Sequence, residues 1–144
     1  MTEWTVTKSD SKAEENNDML KFKYDQNGLL PAIVQDYKTG EVLMLAYCNK
    51  KAILKMLAIK KTCFYSRSRK TFWIKGESSG HIQEIKSIST DCDRDTLLIK
   101  VKQRGGACHL GYRSCFVHPL NGKGNLRRAD QKKVFNPKAI YQSK

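Results

Sequence analysis

The chain has 144 residues, and 27 Lys and Arg against 14 Asp and Glu give it a formal net charge of +13 at pH 7. That length suits one globular domain, in which roughly 70% of the unfolded surface can be buried, so a core needs neither disulfides nor repeats. The charge excludes an acidic binder of basic partners and points to nucleic acid, a phosphorylated substrate or an anionic membrane; at 40% apolar the chain is a folded protein rather than a disordered tail.

Residues 1–18 are polar and mildly acidic, with Glu14-Glu15-Asn16-Asn17-Asp18 in succession, and read as a flexible lead-in. Met1-Thr2-Glu3-Trp4 lacks the basic flank and apolar stretch of a signal peptide, and no apolar run approaches a membrane span, so a cytoplasmic location is expected. Leu20, Phe22 and Tyr24 alternate as in a strand, Asn27-Gly28 marks a turn, and Leu29 to Val34 predicts a second strand. Lys38-Thr39-Gly40 is a further turn before the apolar run Val42 to Ala46, which predicts a hairpin. Asn49 can cap a helix whose apolar face is Ile53, Leu54, Met56, Leu57 and Ile59, with Lys50, Lys51, Lys55 and Lys60 opposite.

Short strands are predicted over Cys63 to Tyr65, Phe72 to Ile74, His81 to Ser89 and Thr96 to Lys102. Gly105-Gly106 breaks the last, and Tyr112 to Val117 reads as extended. The end is a basic extension over residues 119–144, and the fold expected over residues 19–118 is a small β-rich α+β domain of mixed or antiparallel strands with one main helix. Five cysteines, with no C-x-x-C pair, disfavour a secreted disulfide framework.

Three polar clusters stand out. In Asp91-Cys92-Asp93-Arg94-Asp95, an extended backbone would put Asp91, Asp93 and Asp95 on one face and Cys92 on the other. Three carboxylates together call for a cation, and hard oxygen donors suit Mg²⁺; the alternative is a solvated acidic turn. Next comes Gly105-Gly106-Ala107-Cys108-His109-Leu110-Gly111-Tyr112-Arg113-Ser114-Cys115, in which a turn at Gly111 can bring Cys108 and Cys115 together. With Cys92 they supply three thiolates, the number a catalytic zinc uses when its fourth position is kept for water. His109 can then shuttle protons or ligate; a buried structural cysteine is the alternative at each position, and Cys48 and Cys63 read as core.

The third cluster runs from Tyr65 to Gly80. Arg67 and Arg69 alternate with Ser66 and Ser68, so two guanidinium groups can project toward a phosphate, and Ser78-Ser79-Gly80 adds donors. A basic solvated hairpin is the alternative. Trp73 reads as core by residue type, and His81 and His118 lack a motif of their own.

These clusters, in this order, resemble the phosphoribosyl-AMP cyclohydrolase family of histidine biosynthesis. The resemblance rests on Gly28 to Asp36, Glu41 to Tyr47, Asn49, Ser66 to Arg69, Trp73, Lys75-Gly76-Glu77, Ser79-Gly80, Asp91 to Asp95, Ala107-Cys108-His109 and Arg113-Ser114-Cys115-Phe116. It implies an intertwined homodimer with one Zn²⁺ per subunit, shared between Cys92 of one chain and Cys108 and Cys115 of the other, and Mg²⁺ at Asp91, Asp93 and Asp95. It implies hydrolytic opening of the adenine ring of 1-(5-phosphoribosyl)-AMP at the N1–C6 bond, with His109 as general acid/base. Ser66, Arg67, Ser68, Arg69, Trp73, Lys75 and Ser79 become the substrate-binding set. Gly106 and Cys48 depart from the family pattern, which has proline and methionine there. Many relatives carry a pyrophosphohydrolase domain after this one; with only the basic extension here, the preceding step is expected from another protein.

Two other classes compete on the residues alone. One is a basic zinc-stabilised nucleic-acid-binding module using Arg67, Arg69, Trp73 and the tail, which the acidic triplet opposes. The other is a zinc nucleobase deaminase, which the absence of H-x-E and P-C-x-x-C opposes. No nucleic-acid or membrane partner is expected.

Overall fold

The computed structural model describes residues 21–141; the expected lead-in and Leu20 lie outside the described residues. Strands β1 (Leu30–Asp36) and β2 (Val42–Cys48) form the expected hairpin, pairing Leu30 with Cys48 through to Val34 with Met44. Helix α1 (Lys50–Ile59) follows, then a separate ribbon of β3 (Cys63–Ser66) and β4 (Thr71–Ile74), then the hairpin of β5 (Gln83–Thr90) and β6 (Leu97–Gln103). The main sheet has the order β2-β1-β6-β5. Its inner pair, β1 and β6, is parallel, which requires the long crossover that α1, the ribbon and β5 provide. A short helix α2 (Pro137–Tyr141) ends the described chain.

Period-two burial explains the sheet. Leu30, Ala32 and Val34 of β1 and Leu97, Ile99 and Val101 of β6 alternate into one core, where Leu43, Met56 and Phe64 meet them. Asn49 caps α1: its Oδ1 accepts from the Ala52 N–H at 2.9 Å. Lys60, at φ 59°, closes the other end by donating its N–H to the Met56 carbonyl. The buried stripe is narrower than expected: Ala52, Ile53 and Met56 are covered, Leu57 is half-buried and Leu54 is 46% exposed, because only one side of the helix touches β2 and β3.

A buried polar chain joins the ribbon to the sheet. Thr62 Oγ1 donates to Gln83 Oε1 at 2.8 Å, and Gln83 Nε2 donates to Gln103 Oε1 at 2.7 Å. These bonds satisfy groups that would otherwise cost about 1–3 kcal/mol each to bury.

Among the described residues, two expected strands do not form. Phe22 and Tyr24 are half-buried against the core in a segment that is not a strand, held by the Lys23 N–H on the Arg94 carbonyl at 2.7 Å. Tyr112 to Val117 is irregular, since its bonds close a loop (Ala107 N–H to Arg113 O, Cys108 N–H to Tyr112 O) rather than extend a ladder. The basic extension doubles back: the Asp130 N–H donates to Val117 O, and the Val134 and Phe135 N–H groups donate to Gly111 O. Among the described residues no helix is long and apolar enough to cross a membrane.

Candidate functional site

The acidic cluster forms the β5–β6 turn and is not extended. Asp91 Oδ1 accepts from the N–H groups of Asp95 (3.1 Å) and Thr96 (3.3 Å), the Arg94 N–H donates to Asp91 O, and Arg94 sits at φ 61°. This tight turn, not strand alternation, brings oxygens of Asp91, Asp93 and Asp95 within 4.8 Å of one another. Dehydration acts to raise the Asp91 carboxyl, but hydrogen bonds from Asp95, Thr96 and Arg94 outweigh it and hold it low. Asp95 is held high, first by its hydrogen bond to Asp91, then by dehydration and the neighbouring carboxylates. Pushing the two carboxyls in opposite directions is what crowding of like charges does when no cation separates them. All-oxygen donors at this spacing fit Mg²⁺.

The loop after β6 is closed by the Ala107 N–H on Arg113 O (2.8 Å), the Cys108 N–H on Tyr112 O (3.1 Å) and the Gly111 N–H on Cys108 O (3.0 Å). Closure brings Cys108 and Cys115 side by side. Cys115 is exposed as a residue, yet packing around its sulfur pushes the thiol up to about 11; Cys108 adds to this and the Lys75 ammonium opposes it. Lys75 is lowered by burial, with the two thiols acting the other way, and its Nζ donates to the Ala107 carbonyl. Two sulfurs side by side next to a cation are soft donors of the kind that fit Zn²⁺, which binds thiolate. Cys92 lies exposed in the acidic turn. Among the described residues the aspartate triplet is the only set of three or more candidate ligands within 4.8 Å, so one chain does not assemble all three cysteines. His109, beside Cys108, is exposed, and Cys48 and Cys63 are buried.

The β3–β4 turn edges a shallow cavity of about 540 Å³ lined by Tyr47, Tyr65, Ser66, Arg67, Ser68 and Trp73. Arg67 stacks on Tyr47 with its guanidinium carbon 3.9 Å from the ring centroid. Because residues 67–70 turn rather than continue the strand, Arg67 and Arg69 do not alternate. The Arg69 N–H donates to Ser66 Oγ, and its side chain is not part of the cavity wall; neither are Lys75 and Ser79, whose Oγ accepts from the His81 N–H.

Tyr47, Tyr65 and Arg113 stand in the motifs with no role read for them; the structure puts the two tyrosines on the cavity wall and Arg113 in a clamp. Its Nη2 donates to Asp36 Oδ1 at 2.8 Å and its Nε to Glu41 Oε1 at 3.1 Å. Burial acts to raise Asp36, but donors on Thr39 and Lys38 and the Arg113 charge outweigh it and hold the carboxyl below its usual range. The Asp-x-x-Thr-Gly turn was the available signal, since Asp at the head of a turn accepts from the backbone just after it.

A small α+β scaffold thus carries a carboxylate triplet and a thiol pair that could each hold a metal ion, and an arginine-edged aromatic cavity that could take a small ligand. A family model, phosphoribosyl-AMP cyclohydrolase, matches residues 44–117, which span all three clusters. Proteins described as phosphoribosyl-AMP cyclohydrolase are similar along most of their length: one from Chlorobium phaeobacteroides is 48% identical over 135 residues, covering 90% of this chain and 98% of its own. One from Pelotomaculum thermopropionicum is 52% identical over 124 residues, 86% of this chain and 95% of its own. One from Chloroherpeton thalassium is 50% identical over 119 residues, 83% and 85%. The chain belongs to the phosphoribosyl-AMP cyclohydrolase family, hydrolases of histidine biosynthesis.

Proposed function

We propose that this chain hydrolyses 1-(5-phosphoribosyl)-AMP, opening its adenine ring at the N1–C6 bond, as a cytoplasmic homodimer whose domain spans residues 19–118. The observation that carries this reading is the Cys108–Cys115 pair beside Lys75, a two-thiol half-site whose third thiol, Cys92, lies apart in the same chain. A second copy of the chain would supply that Cys92. Cys92, Cys108 and Cys115 would hold Zn²⁺ and Asp91, Asp93 and Asp95 Mg²⁺, supplying Lewis acidity for water and charge compensation for phosphate.

Substitution at N1 leaves the substrate ring cationic and its C6 electrophilic. Water adds at C6, the C6–N1 bond breaks, and N1 leaves with the proton it needs. His109, exposed beside Cys108, moves that proton. The cavity with Arg67, Ser66, Ser68 and Trp73 binds the phosphate-bearing nucleotide, Arg69 and Ser79 complete the binding set, and Lys75 does its part from the thiol side.

The test is the ultraviolet change on ring opening of synthetic phosphoribosyl-AMP by protein loaded with zinc and Mg²⁺. Turnover should stop with chelator and return with zinc. Unchanged substrate, with salt-dependent DNA binding in its place, would overturn the reading in favour of a nucleic-acid module.

A further inference from the structure

The loop holding Cys108 and His109 is flanked by glycines that lie against His81 and the segment carrying Phe135. A Cβ on Gly105 would lie 2.6 Å from His81 Nδ1, one on Gly106 would lie 3.0 Å from Phe135 Cε1 and 2.5 Å from Tyr112 O, and one on Gly111 would lie 2.6 Å from Phe135 O. The rings themselves pack edge to face, with centroids 4.2 Å apart and planes at 76°. His81 Nδ1 accepts from the Gly106 N–H at 3.2 Å. On the far side, Gly111 O takes the Val134 N–H at 2.7 Å and the Phe135 N–H at 3.3 Å, and Lys133 Nζ lies over the Tyr112 ring. The strap carrying Phe135 is outside the family-matched residues 44–117.

We propose that Phe135 and His81 form a clamp by which the C-terminal strap positions the Cys108–His109 loop for catalysis. Neither ring touches the reacting atoms; both are positioning residues. The physical case is that Ala107 and Cys108 are buried at the middle of the loop, whereas Gly105, Gly106 and Gly111 at its two ends have no side chain with which to hold it. Its geometry is set by what presses on it, and the aromatic pair presses on Gly105 and Gly106 while the strap backbone fastens Gly111. The inference rests on the proposed reaction only for its kinetic consequence.

The experiment compares full-length wild type and Phe135→Ala, both zinc-loaded, by hydrogen exchange and by ring-opening kinetics. Exchange should speed up over residues 105–112 and stay unchanged in β1 and β6. The kcat should fall about 10- to 100-fold with KM held, as expected when a catalytic group is misplaced by about an ångström. Phe135→Leu, which keeps an apolar plug, should recover part of both, and His81→Ala should reproduce the alanine signature; these two carry the test if Phe135→Ala is insoluble. Unchanged exchange in the loop, or wild-type kcat with a loosened loop, overturns the clamp. Uniform acceleration through β1 and β6 also overturns it, because the contact would then serve stability alone. A wild-type protein without ring-opening activity would defeat the proposed reaction, while the exchange result would still decide the clamp.

Discussion

Arg113 Nη2 and Asp36 Oδ1, 77 positions apart, meet at 2.8 Å and fasten the end of β1 to the loop that carries Cys115. Asp36 is buried and also accepts from the Lys38 and Thr39 N–H groups, so it cannot move to follow a displaced arginine. Asp36→Ala should cost about 1.5–3 kcal/mol, the range for hydrogen bonds to a charged group, and lower Tm by several degrees.

The same carboxyl sets a pH response. Its folded pKa lies below its unfolded one, so its stabilisation is complete above the unfolded value and is lost as pH falls through the folded value. Denaturation followed across the acid range should show a shallower fall in stability for Asp36→Asn than for wild type. Identical acid limbs in the two proteins would contradict this.

Zinc content separates the cysteines. Cys92→Ser, Cys108→Ser and Cys115→Ser should each lose the metal and turnover, whereas Cys48→Ser and Cys63→Ser should keep both, their thiols being buried away from the loop. His109→Ala should keep zinc and lose most of the rate. Mixing inactive Cys92→Ser and Cys108→Ser subunits should restore activity, since each hybrid dimer would hold one intact site. Failure to complement, or a full zinc load in Cys92→Ser, would sink the shared site.

For the acidic turn, Asp91→Asn is the informative change. An asparagine Oδ1 can still accept from the Asp95 and Thr96 N–H groups, so the turn should survive while one negative charge is gone. Calorimetric titration should show weaker Mg²⁺ binding with zinc content unchanged. Equal Mg²⁺ affinity would remove the triplet from consideration as a cation site.

Arg67→Lys should raise KM and spare zinc. The planar guanidinium stacked on Tyr47 is worth about 0.5–2 kcal/mol, so KM should rise roughly 2- to 30-fold.

What could be read directly was local. Apolar stretches bounded by turn signals located β1 to β6, Asn49 located the start of α1, and the chemistry-bearing residues stood in three clusters along the sequence. Two features misled. Phe22 and Tyr24 alternate like a strand but lie outside any strand among the described residues, and Tyr112 to Val117 lies where loop closure competes with extension. The aspartates come together by a turn with Arg94 in a left-handed conformation, which alternation does not foretell.

By itself, then, the sequence determined the elements, the chemical types at the site and the family, because each of these is written in spacing over a few residues. The tertiary structure alone decided that β6 returns parallel to β1, that Lys75 faces two thiols, and that Phe135 closes on His81. Those pairings depend on which surfaces are buried together once the chain has folded, and residues dozens of positions apart carry no local mark of the partner that burial selects.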